Sequence, residues 1–204
     1  MDKTIARHAK VFRKAASHAG FTDVDAYVAS FAKRLEGMYA SDPYRAHDVY
    51  PTMDVPRIYA VIAMCLELRE HGLTDQQIFE SVNAGYAARR RLFAVILKAI
   101  DLLPNSYAIA RRWNIQDHDK RVVDGSITYD TFEVRDHSIE YRISACKYVE
   151  MFEAWGIRPL CKLFCETDTR SYSMLTRHVE FVRHSDLSDG DTCHDEIIER
   201  GHRA

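Results

Sequence analysis

A chain of 204 residues with a net charge of -2, 47% hydrophobic and 28% charged residues has the composition of a soluble globular protein. Its basic clusters, residues 89–91 and 111–112, are helix-borne runs of the kind that face solvent, so no concentrated basic face speaks for nucleic acid. With charges at Asp2, Lys3, Arg7, Lys10, Arg13 and Lys14 the first twenty residues do not resemble a signal peptide, and the most apolar run, residues 92–103, is too short and too charged to cross a bilayer. Five cysteines, an odd number without a secretory signal, read as reduced thiols in a cytoplasmic protein.

The first 112 residues read as helical. After Pro56 the run "RIYAVIAMCLELREHG" ends at Gly72, a C′ glycine, and Cys65 inside it is a small buried hydrophobe. Thr74 and Gln77 have capping-box spacing, and the helix they open is expected to continue to about Leu103, with Gly85 as a kink and Pro104 as the stop. After Asp124 and Gly125 the apolar period changes from 3.6 to 2. "YDTFEVRD" and "SIEYRIS" alternate, with a hairpin at Asp136 and His137 between them. Two short helices follow, then the strands "HVEFVRH" and "CHDEIIE". The fold class is α+β: N-terminal helices packed with a small antiparallel sheet of β-β-α-α-β-β order. The chain is read as a single domain over residues 1–204, helical over residues 1–120 and α+β over residues 121–204.

The α+β segment holds the chemistry. Ser144 reads as the N-cap of a helix ending at Gly156, whose stripe of Tyr148, Met151, Phe152 and Trp155 is core. Cys146 falls in its first turn beside Lys147, so helix dipole and cation are expected to lower its pKa to roughly 5–7.5. Pro159 suits the first turn of the next helix. There Cys161, Cys165 and Asp168 share a face, with Cys161 best explained by packing. On the last strand Cys193 and Asp195 project to one side and His194 to the other, while Asp189 and Asp191 are solvated turn residues. Cys146, Cys165 and Cys193 are expected to border one cavity, their sulfurs within about 10 Å. Cys146 is read as the attacking thiol, with Cys165, Asp168, Cys193 and Asp195 lining the pocket and moving protons; the alternative is an aspartate that activates water directly while the cysteines only shape the pocket. Lys147 and Arg142 are the candidate substrate-binding cations by position only, and strand alternation fits Arg142 equally well as a surface residue. No metal is assigned to the site. The cysteines lack the close pairing of structural zinc sites, which leaves zinc held by Cys146, Cys165, Cys193 and a carboxylate or histidine as the minor alternative.

The order "C-K-Y…G…FC-E-x-D…F…G-D-x-C-x-D", carried by Cys146, Lys147, Tyr148, Gly156, Phe164, Cys165, Asp168, Gly190, Cys193 and Asp195, resembles the L-2-amino-thiazoline-4-carboxylic acid hydrolase family. The resemblance covers about residues 125–200 well and the helical half loosely. The chain departs from it after Cys193, reading His194, Asp195, Glu196 and Ile197 where the family more often has an aromatic. It implies an enzyme that hydrolyses a cyclic, amidine-like C=N group of a small-molecule substrate, acting on carbon–nitrogen bonds other than peptide bonds and needing no cofactor. It also looks like the small-molecule-binding domains of the vinyl-reductase-associated type, which keeps a non-catalytic sensory module as the other reading. The sequence leaves the oligomeric state open, a homodimer included.

Overall fold

The stretch Val55–Glu70 has no polar stripe, and a helix that is apolar all round must be enclosed by other elements. In the computed structural model, which describes residues 3–202, this helix is α4 and the helices around it are α1 (Lys3–His18), α2 (Val24–Tyr39), α3 (Asp42–His47) and α5 (Asp75–Gly85). Ile58, Tyr59, Ile62, Met64 and Leu68 are fully buried, and Cys65 belongs to this core as expected. Phe12 of α1 stacks on Phe31 of α2 at 4.6 Å. The one carboxylate buried on α4, Glu67, is matched by Arg34 of α2 at 2.9 Å. Gly72 has φ +85° after α4, and Thr74 and Gln77 form the capping box of α5.

The long helix expected to reach Leu103 is two helices. At Gly85 the chain lies so close to α1 that a Cβ there would sit 2.9 Å from the Val11 carbonyl oxygen. Tyr86 follows with φ -89° and ψ 0°, off the regular helical values, and α6 (Ala87–Asp101) starts afresh.

Next come α7 (Ser106–Asp124), β1 (Ile127–Val134), β2 (Ser138–Cys146), α8 (Lys147–Glu153), a 3₁₀ turn (Arg158–Cys161), α9 (Lys162–Tyr172), β3 (Val179–Ser185) and β4 (Cys193–Glu199). The four strands form one antiparallel sheet in the order β1-β2-β4-β3, so the β-β-α-α-β-β reading holds. Gly125, at φ +70°, lets α7 turn into β1, and α7 packs on β1, β3 and β4. The chain divides into two compact units: Met1–Arg89 with Glu150–Leu163, and Arg90–Val149 with Phe164–Ala204. The sheet therefore travels with α7, and the stripe of α8 is divided: Met151, Phe152 and Trp155 belong to the first unit, Tyr148 to the second. Among the described residues no helix is long and apolar enough to cross a membrane.

Candidate active site

The site grows from one row of the sheet. Phe132, Tyr141, Asp195 and Arg183 are successive cross-strand partners on β1, β2, β4 and β3, so they share a face. Asp195 is 1% exposed. A carboxylate withdrawn from water must be paired, and Arg183 grips it with both arms: Nε to Oδ1 at 2.8 Å, Nη2 to Oδ2 at 2.7 Å. Tyr141 donates its hydroxyl to Oδ2 at 3.0 Å, and the Cys193 thiol faces the same oxygen at 3.5 Å. Burial alone would lower the Arg183 pKa; the hydrogen bonds and charge of Asp195 outweigh it and raise it. The third guanidinium nitrogen donates to the Cys165 carbonyl, which ties α9 to the sheet.

One turn beyond Cys165 on α9 stands Asp168, 3.8 Å from Arg183. Water reaches 57% of its side chain. The protein around it nevertheless displaces enough solvent to push its pKa up to about 6; the neighbouring Arg183 opposes the shift, Asp195 and Asp117 add to it, and Arg121 opposes it. Three tyrosines share this environment. Burial raises the pKa of Tyr129, Tyr141 and Tyr172, with the charge of Asp168 adding to each, so all three are neutral donors at physiological pH. Tyr172 also hydrogen-bonds the Asn114 side chain, whose oxygen is buried with no partner among the described residues. Arg121 of α7 pairs with Asp117 at 3.3 Å and lies over the Tyr148 ring at 5.7 Å.

Cys146, Cys165 and Cys193 converge on this neighbourhood, Cys165 lying near enough to each of the other two to raise its pKa through space. The electrostatics of Cys146 run against the expectation. Ser144 is no helix cap: it lies on β2 and donates its hydroxyl to Asp130 at 2.6 Å. Cys146 ends the strand and itself takes the capping place, its sulfur meeting the backbone N–H groups of Tyr148 and Val149. Those donors favour thiolate, but burial outweighs them and pushes the thiol up to about 11. Cys193 is raised too, by burial and by Asp195. Cys161 is fully buried at the end of the 3₁₀ turn, in the first unit.

Arg142 does not face this site. Tyr141 points inward, so strand alternation turns Arg142 outward, where it is exposed opposite His194. Lys147 opens α8 half-buried, its backbone N–H donating to the Ser126 carbonyl. The cations that do face Asp168 are Arg183 and Arg121. Sequence reasoning missed both, although "HVEFVRH" carried the signal: Arg183 alternates in phase with Phe181, and an arginine at an inward strand position needs a buried partner.

Residues 57–195, from α4 to Asp195, match the family model described as L-2-amino-thiazoline-4-carboxylic acid hydrolase. The chain belongs to this family. The match takes in Cys146, Cys165, Asp168, Cys193 and Asp195, and it reaches well upstream of the 125–200 segment whose motifs carried the resemblance. No curated protein matches the chain.

Proposed function

We propose that this protein is a small-molecule hydrolase that opens a cyclic amidine-like C=N group, with Asp168 as the proton-transfer residue. The observation that carries the reading is the state of Asp168: a water-accessible carboxyl, pushed up to about 6, between a fixed Arg183–Asp195 pair and a ring of tyrosine donors. A general base works best when its pKa lies near the operating pH.

For an aminothiazoline carboxylate the steps balance without a cofactor. With a ring nitrogen protonated, the carbon between nitrogen and sulfur is electrophilic. Asp168 accepts a proton as water adds to that carbon, giving a tetrahedral intermediate. The C–S bond then breaks as the hydroxyl-bearing carbon becomes a urea carbonyl: the sulfur receives the proton held by Asp168, the hydroxyl proton returns to solvent in place of the one taken up by the ring nitrogen, and a carbamoyl-cysteine-like thiol leaves. Tyr129 and Tyr172 supply donors for the charge that develops, while the Tyr141 hydroxyl stays committed to Asp195. Arg121 is the cation for the substrate carboxylate, with Lys147 the second candidate at that end of β2. Cys146 and Cys193, held as thiols by burial, shape the pocket in this reading, and Cys165 lies between them. Asp195 serves as the fixed counter-ion of Arg183; with both oxygens committed there, it is a poor zinc ligand. A cytoplasmic setting keeps the free thiols in the state this chemistry needs.

The test is the pH dependence of kcat/KM on L-2-amino-thiazoline-4-carboxylate. Because the ionised form of Asp168 is the base, activity should fall as pH drops through about 6. Asp168→Asn should lower the rate by roughly 10²–10⁴ and abolish that limb. Wild-type-like turnover in the variant would refute the role. Binding of the thiazoline without turnover would support a sensory module instead.

A further inference from the structure

The face of the sheet opposite Asp195 carries a second cluster. Glu140, His194 and Glu196 project outward from β2 and β4, and His184 of β3 joins them at the register break between Arg183 and Ser185. His184 Nε2 lies 2.8 Å from Glu196 Oε1, and His194 Nε2 lies 3.1 Å from Glu140 Oε1. The two imidazoles stack with centroids 4.4 Å apart. One ligand atom each from His184, His194 and Glu196 lies within 4.8 Å of the others. Solvent reaches all three side chains, at 43%, 18% and 29%.

We infer that His184, His194 and Glu196 form a binding site for a divalent transition-metal ion of the zinc class. Two imidazole rings and two carboxylates are gathered at one spot on this face of the sheet. A divalent ion at that spot would take one lone pair from each imidazole and be matched by the carboxylate charge. Two imidazole nitrogens and a carboxylate oxygen suit zinc and its neighbours in the transition series rather than magnesium or calcium. Ligand atoms about 2.0–2.1 Å from a tetrahedral ion lie roughly 3.3 Å apart, so the cluster reaches binding geometry by side-chain rotations on the order of 1 Å. The fourth position falls to water or to Glu140, which Arg135 also holds, at 3.2 Å. Such an ion would join β3 to β4, on the face away from Asp168, and would be distinct from zinc held by the cysteines.

The experiment is calorimetric titration of Zn²⁺ into chelator-stripped full-length protein, with Co²⁺ as a spectroscopic probe. One site per chain is expected, and His184→Ala or His194→Ala should weaken it by about tenfold or more. Circular dichroism of each variant checks that the fold is kept. Cys165→Ser and His137→Ala should bind as the wild type does; the latter controls for the cluster of His137, Glu199 and His202 at the end of the same sheet. Bound Co²⁺ should give weak visible absorption without the intense thiolate charge-transfer band. Zinc binding that survives both histidine variants, a thiolate band, loss in Cys165→Ser, or no binding at millimolar Zn²⁺ would each overturn the proposal.

Discussion

Asp195 is screened from water on every side, and its charge is tolerated because Arg183 and Tyr141 hold it. Removing one partner of a buried pair leaves the other charged and unsatisfied, a loss of about 3–5 kcal/mol. Arg183→Met should therefore lower urea stability by that order, and Asp195→Asn should lower both stability and turnover. His194→Ala, one residue along but on the opposite face, should retain most of the turnover; a large rate loss there with the fold intact would show the face assignment to be wrong. The thiols give a second prediction. With Cys146 pushed up to about 11, and Cys65, Cys161 and Cys193 buried, iodoacetamide at pH 6.5 should label Cys165 first, read residue by residue by mass spectrometry. Early labelling of Cys146 would restore it as the nucleophile. The division of Cys193 and Asp195 from His194 was legible in the sequence because a strand has period two. The state of Cys146 was not: dipole and neighbouring cation are local and visible, whereas the burial that outweighs them arises only when the chain has folded.

At the level of elements, local rules carried well where the signal was itself local. The capping box at Thr74, the turn at Asp136 and the end of α4 before Gly72 all depend on a few adjacent residues. The break between α5 and α6 depends on α1, more than sixty residues upstream, and no periodicity shows it. Gly85 tests this reading. Alanine at a helical glycine ordinarily gains about 0.5–1 kcal/mol. Here the added Cβ would also meet Val11 Cγ1 at 3.2 Å, and the Val11 carbonyl oxygen at 2.9 Å belongs to the backbone and cannot rotate away. Overpacking of this kind costs about 1–3 kcal/mol. Gly85→Ala should thus be destabilising, and Gly85→Val more so, by thermal and urea unfolding. Stabilisation by alanine would mean that the helices are not so close.

At the level of the whole chain, α4 looks like the centre of a self-sufficient helical bundle, yet its unit is completed from far downstream. Arg69 donates to the Gly156 carbonyl at 3.0 Å, the Tyr59 ring meets Trp155 edge-on at 6.5 Å, and the buried residues of the first unit include Met151, Phe152, Leu160 and Cys161. Residues 1–89 expressed alone should expose apolar surface, bind a hydrophobic dye and unfold without a sharp transition. The same residues joined through a flexible linker to 150–163 should regain cooperative melting; a sharply melting 1–89 fragment would refute this. The interleaving also sets an order of events on the ribosome. The N-terminal helices emerge first but wait for residue 163, on the order of several seconds at about 5–20 residues per second. For that interval the nascent chain carries an unfinished core, so the production of this enzyme-family fold should depend on how fast the ribosome traverses the sheet, and on whichever chaperone covers α4 meanwhile.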